Sequence, residues 1–262
     1  MRDEIKIELE NPRKEVDKIT SFIRDQRDKI GFETAVIGLS GGIDSSLTAV
    51  LTQKALSTDQ LEPVFMPERT TPEEDERDVK KLTSRFNLEV RTIGIDDYVS
   101  VFSREFPDLS DLTEANIKAR VRMMLLYAIA NEKNGVVVGT GNLSEWLLGY
   151  FTKYGDGAAD ITPILHLFKT EVNQLARYLE LPKEVIEKPP SAGLWHGQTD
   201  EEELGGSYED LDKALFCKHE LSLTTEEAKE GLNLDSKLVE RAYNLVKGTE
   251  HKRQNPPGLS RR

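Results

Sequence analysis

Thr34-Ala-Val-Ile-Gly-Leu-Ser-Gly-Gly-Ile-Asp-Ser-Ser46 runs from a β-branched apolar stretch through a glycine turn into a helical pattern that continues from Leu47 to Leu56. Strand, turn and helix in that order are where a parallel sheet places its ligands, because helix N-terminal amides gather at the carboxyl end of the strand and attract anions. The residue types suit a phosphate. Gly41 and Gly42 let the backbone come close, and Ser40 and Ser45 add hydroxyl donors. Asp44 cannot help an anion directly, but it can hold a Mg²⁺ that neutralises one. A capped strand–helix turn would also use glycine and serine; the Asp within the pattern favours a ligand. No Gly-x-x-x-x-Gly-Lys-[Ser/Thr] loop and no strand-linked Gly-x-Gly-x-x-Gly fingerprint occurs.

Outward from this loop the alternation continues. An amphipathic helix is predicted from Pro12 to Ile30, with Asn11 as N-cap and Gly31 as stop. After the loop come a strand near Pro63 to Met66, a charged helix from about Pro72 to Phe86 and a strand from Leu88 to Gly94. Helices follow near Asp97 to Arg104 and from about Thr113 to Glu132, then the wholly apolar strand Gly135 to Gly139. Strands alternating with helices imply an α/β fold, a parallel sheet flanked by helices on both faces. Beyond Gly139 glycines punctuate the chain, and helices resume near Thr170 to Glu180, Tyr208 to Cys217 and Asp235 to Val246. One domain over residues 1–262 is expected, with a mobile basic tail at about 250–262.

Thirty-five Lys and Arg against 47 Asp and Glu give a net charge of −12, which disfavours nucleic acid as a partner. The charged amino terminus lacks an apolar signal core, and no window approaches the roughly 18 apolar residues of a membrane helix. A single cysteine, Cys217, excludes an internal disulfide framework and any Cys-rich metal site. A reducing, cytoplasmic location is expected.

The loop at Ser40 to Ser45 resembles the PP-loop of the ATP pyrophosphatases, which cleave ATP between the α and β phosphates to adenylate a substrate. Further stretches narrow the resemblance: Gly139-Thr-Gly-Asn-Leu-Ser-Glu145, Gly149-Tyr-Phe-Thr-Lys-Tyr-Gly-Asp-Gly-Ala-Ala-Asp160 and Glu250-His-Lys-Arg253 are similar in type and order to the ammonia-dependent NAD synthetases. The similarity covers nearly the whole chain. It implies a Rossmann-like fold of the adenine-nucleotide alpha-hydrolase type and a homodimer that converts deamido-NAD, ATP and ammonia to NAD, AMP and pyrophosphate.

That family implies ATP-binding positions at Gly38, Leu39, Ser40, Gly41, Gly42, Ile43, Asp44, Ser45, Thr140, Lys169 and Ser191, and deamido-NAD-binding positions at Arg120, Lys153, Asp160, His251 and Lys252. It implies Asp44 and Glu145 as Mg²⁺ ligands. Both follow the carboxyl ends of buried strands, so adjacent strands would let them share one ion. Lys169 opens a helix, where a cation opposes the helix dipole and calls for an anion nearby. On residues alone, His251 and Lys252 read as an exposed basic tail, Thr140 as a turn residue, and Arg120 as half of a salt bridge. Many relatives have Gln at position 43; Ile43 would contribute backbone there.

Some NAD synthetases draw ammonia from glutamine through an attached amidase with a catalytic cysteine. Cys217 lies in a helical pattern without the strand–elbow of a nucleophile, so free ammonia is the expected donor, with a separately encoded glutaminase left open. Two other readings stay open: a PP-loop ligase acting on tRNA, and a module that holds ATP as a sensor. The net charge opposes the first, and the paired acids Asp44 and Glu145 oppose the second.

Overall fold

Strand β1 (Thr34–Leu39) is the spine of the sheet, paired in parallel with β2 (Leu61–Phe65) on one side and β4 (Gly135–Val137) on the other. β3 (Arg91–Thr92) adds to β2, giving the order β3-β2-β1-β4 among the described residues. These observations come from a computed structural model, which describes residues 5–190, 200–231 and 234–259.

The period-2 alternation of β1 assigns its side chains to two cores. Ala35, Ile37 and Leu39 point into a cluster covered by α1 (Pro12–Ile30) and α2 (Ile43–Ala55). Val36 points to the opposite face, against α5 (Asp111–Glu132), with Val64 and Val137 beside it. Between β2 and α5 lie α3 (Glu73–Phe86) and α4 (Asp96–Glu105). Covering both faces explains why β1 and β4 read as continuous apolar runs. The local signals at α1 hold: Asn11 Oδ1 accepts from Lys14 N at 3.0 Å, and Gly31 ends the helix at φ 80°.

Past β4 come α6 (Leu143–Leu148), α7 (Lys169–Tyr178), α8 (Lys183–Glu187), α9 (Asp200–Leu204), α10 (Tyr208–His219), α11 (Thr225–Gly231) and α12 (Ser236–Gly248). Leu147, Leu148, Phe168, Leu211, Leu215 and Val239 form a third cluster that ties α6 to α10 and α12. The chain after the sheet thus builds a helical layer against the carboxyl ends of β1 and β4.

The region expected to be a mobile tail is anchored at its start. Glu250–Lys252 is a 3₁₀ turn, Lys252 Nζ donates to the carbonyls of Gly149 and Phe151 at 2.7 and 2.8 Å, and Arg253 donates to Leu147 O and Val246 O. No helix among the described residues is long and apolar enough to cross a membrane.

Candidate active site

The loop after β1 is shaped by its own hydroxyls. Ser45 Oγ accepts from Ser40 N at 3.2 Å and reaches Gly42 O at 3.1 Å, while Ser40 Oγ accepts from Gly42 N at 3.2 Å. Gly41 takes φ 83°, and a Cβ there would lie 3.0 Å from Asp75 O, so glycine is required on both counts. Gly42 caps α2 with no side chain, which leaves the first-turn amides of α2 facing the loop. Gly38 packs its Cα face against Leu126, and Leu39 is buried. Ile43 is buried in the core under the loop, so its side chain serves packing while its backbone borders the loop.

Asp44, in the first turn of α2, meets two residues from beyond β4. Asn142 Nδ2 donates to Asp44 Oδ1 at 2.8 Å, and Lys169 Nζ donates to Asp44 Oδ2 at 2.5 Å. The same ammonium donates to Glu145 Oε1 at 3.3 Å. Glu145 stands in the first turn of α6, where Asn142 Oδ1 accepts its amide at 2.9 Å in a capping box. Adjacency of β1 and β4 therefore brings Asp44 and Glu145 together around one positive charge.

Electrostatics follow from enclosure. Burial first, then the nearby Asp44 carboxylate, pushes Glu145 up to about 8. Burial would lower Lys169, but the Asp44 and Glu145 charges outweigh it and raise it, so the side chain stays an ammonium at neutral pH. Its Nζ also lies 5.2 Å from the ring centre of Tyr208. Asp44 and Glu145 converge as Mg²⁺ requires, since that ion takes one or two carboxylates and completes its shell with water and phosphate oxygens, and its charge would favour ionised Glu145. No group of three or more histidines, cysteines, aspartates or glutamates placed to hold a metal ion occurs among the described residues. Thr140 is half-buried beside this centre, lining a cleft with Gly139, Glu145, Trp146 and Phe151.

A second group forms at the start of the glycine-rich stretch. Arg120, exposed on α5, donates from Nε to Lys153 O at 3.3 Å, and Lys153 Nζ donates to His251 O at 2.7 Å. Lys252 has two of its three protons on the Gly149 and Phe151 carbonyls. Asp160 is held at the end of β4, where Oδ2 accepts from Val137 N at 2.7 Å and Oδ1 from the Tyr127 hydroxyl at 3.4 Å. Ser191 lies outside the described residues. Asn142, absent from the sequence-derived site, is fully buried and joins both carboxylates; an Asn three residues before a Glu was its one signal. Cys217 is buried, and burial raises its thiol, as suits a packing residue rather than a nucleophile.

The pattern of the NAD synthase family matches residues 15–256. The chain belongs to the NAD synthase family. It is 45% identical over 249 residues to the NH(3)-dependent NAD(+) synthetase of Methanocaldococcus jannaschii, covering 92% of this chain and 95% of that protein. Among solved structures, the NMN synthetase of Francisella tularensis superposes with a TM-score of 0.84 at 35% identity, covering 95% of this chain and 98% of that one. The NH3-dependent NAD synthetase of Campylobacter jejuni gives 0.81 at 31%, covering 95% and 100%. Family membership accords with the four-stranded parallel sheet and with a carbon–nitrogen ligase.

Proposed function

We propose that this chain amidates the nicotinate carboxylate of deamido-NAD with ammonia, driven by ATP, as the last step of NAD formation. The observation that carries the reading is the convergence of Asp44, Glu145 and Lys169 at the carboxyl ends of β1 and β4, beside the Ser40–Ser45 loop. A carboxylate does not acylate ammonia unaided. One carboxylate oxygen attacks the α-phosphorus of ATP, the bond to the β-phosphate oxygen breaks, and pyrophosphate leaves. Ammonia then attacks the acyl carbon, AMP departs, and one proton is released with the amide.

The Ser40–Ser45 loop and the first-turn amides of α2 receive the departing pyrophosphate. Lys169 supplies a fixed positive charge to the phosphates, and Thr140 a hydroxyl. Asp44 and Glu145 would hold a Mg²⁺ ion, which would supply positive charge to the phosphate oxygens. Arg120, Lys153, Asp160, His251 and Lys252 line the dinucleotide side, with Lys252 acting mainly by fixing the Gly149 and Phe151 backbone. Incubation with ATP, Mg²⁺, ammonium and deamido-NAD should give NAD and AMP in equal amounts. The Francisella structure, an NMN synthetase, makes nicotinate mononucleotide the competitor to run beside it. Faster amidation of the mononucleotide would overturn the dinucleotide assignment.

Lys153→Ala is expected to raise KM for deamido-NAD roughly 10–100-fold while leaving KM for ATP within about threefold, the loss of one charge-assisted hydrogen bond. Equal changes in both would place Lys153 between the substrates.

Dimerisation belongs to the same proposal. Of the apolar residues on α5, Val121 and Ile129 are taken up by the chain's own core, but Met124 is 56% exposed. Tyr98, Val101 and Phe102 on the adjoining α4, with Phe106 just after it and Leu112 in the first turn of α5, are exposed too, more apolar surface than scattered residues account for. A second copy covering this face would bring its own α5 close to Arg120, which shares the exposed stripe of Met124. The expected mass in solution is twice 29.6 kDa, and Met124→Glu should yield monomers that lose deamido-NAD turnover. Full activity in a monomeric species by light scattering would remove the shared site. A cytoplasmic location completes the proposal, supported by the lone buried thiol.

A further inference from the structure

Asp212 on α10 is fully buried, and the chemistry above makes no use of it. Its Oδ1 accepts from Ser144 Oγ at 2.5 Å, and its Oδ2 accepts from Thr170 Oγ1 at 2.6 Å and Thr170 N at 2.8 Å. Ser144 Oγ in turn accepts from the backbone N of Lys169 at 2.8 Å. Ser144 precedes Glu145 on α6, and Lys169 and Thr170 open α7. One carboxylate thus grips the starts of both helices that carry the phosphate-facing charges.

α7 needs such a grip. Phe168 at its N-cap offers no side-chain oxygen to the first amides, and a lysine at the first helical position opposes the dipole. An acid brought in from α10 supplies both the acceptor and the favourable charge. Stability alone would not select it: Leu211, Ala214 and Leu215 surround the position with apolar packing, and a buried carboxylate is a weak source of stability compared with an apolar side chain. We propose that Asp212 is a positioning residue, which acts through Ser144 and Thr170 to hold Lys169 in register with Asp44 and Glu145. The inference rests on the assignment of Lys169 to ATP.

Asp212→Asn keeps the size but removes the charge and leaves a single acceptor oxygen, which can serve Thr170 or Ser144 where the carboxylate serves both, so the grip on the two helix starts is broken on one side. The expected result is a fall in kcat of about 10–100-fold, as for other groups that orient a reacting side chain, with KM for deamido-NAD within about twofold. In a Lys169→Met background the same change should cost less than about threefold, because it acts through a lysine no longer there. A fall that multiplies in full onto that of Lys169→Met, or one confined to thermal stability, overturns the inference. If Lys169→Met itself leaves kcat and KM for ATP unchanged, the assignment of the site fails instead. Should Asp212→Asn not fold, Ser144→Ala removes the hydroxyl that joins Asp212 to the Lys169 amide and leaves the bonds of Asp212 to Thr170 in place. A tenfold or greater loss of kcat there supports the positioning role, and an unchanged kcat overturns it.

Discussion

Asp44→Asn is expected to lower kcat by about a hundredfold or more at saturating Mg²⁺, with the largest effect of any single change at the phosphate site. The side chain is not the solvent-facing turn residue its loop position suggests; it is 16% exposed and bonded to both Lys169 and Asn142. Asparagine keeps the size and one acceptor, so the turn survives, and Glu145 remains to pair the buried ammonium. What is lost is the charge that brings a divalent cation and Lys169 to one place. Near-normal kcat would remove Asp44 from the site.

The same variant carries a signature in pH. Because burial and then Asp44 raise Glu145 to about 8, the folded protein holds a proton there that the unfolded chain has released. Stability of the substrate-free protein therefore falls as pH rises from the ordinary carboxylate range toward about 8. Removing the Asp44 charge lets Glu145 ionise at lower pH and shallows that slope. Thermal unfolding of both proteins between about pH 5 and pH 8 measures it.

Gly149→Ala should be strongly destabilising. Gly149 ends α6 at φ 66°, and a Cβ built there would lie 2.2 Å from Thr249 Cβ and 2.4 Å from its Oγ1. Thr249 has little room to retreat, since its Oγ1 donates to Leu245 O at 2.7 Å and accepts from Arg253 at 2.8 Å. Overpacking and left-handed strain together are expected to cost about 2–5 kcal/mol, or roughly 4–20 °C in Tm for a domain of this size. Adding Thr249→Gly should restore the steric part and leave the backbone part. Unchanged melting of Gly149→Ala would contradict this close approach.

Strong periodicity and explicit caps made much of the fold legible. Pro12 to Ile30 and Thr34 to Leu39 appear as expected, because each carries its own start and stop. The strand expected from Leu88 to Gly94 shrinks to Arg91–Thr92 at the sheet edge, although Ile93 N and Ile95 N still donate to Phe65 O and Pro67 O alongside β2. α2 begins at Ile43 rather than Leu47, since Gly42 is a cap by backbone conformation alone. α8, α9 and α11 are too short to show a stripe.

Within the site, the family's motifs name residues that the fold gathers, while Asn142 and Asp212 remained hidden. An acid amid Leu211, Ala214 and Leu215 reads as the edge of an amphipathic helix. Only the 68-residue return of α10 to Ser144 reveals its partners.

The clasp of Lys252 on the Gly149 and Phe151 carbonyls also sets an order of assembly during synthesis. Its two ends are separated by 101 residues between Phe151 and Lys252. At roughly 5–20 residues per second, the glycine-rich stretch leaves the ribosome about 5–20 s before the lysine that fastens it. The phosphate loop and its sheet have their contacts long before the dinucleotide side has its anchor. A nascent chain would therefore complete the phosphate side before the side that fastens the molecule to be amidated.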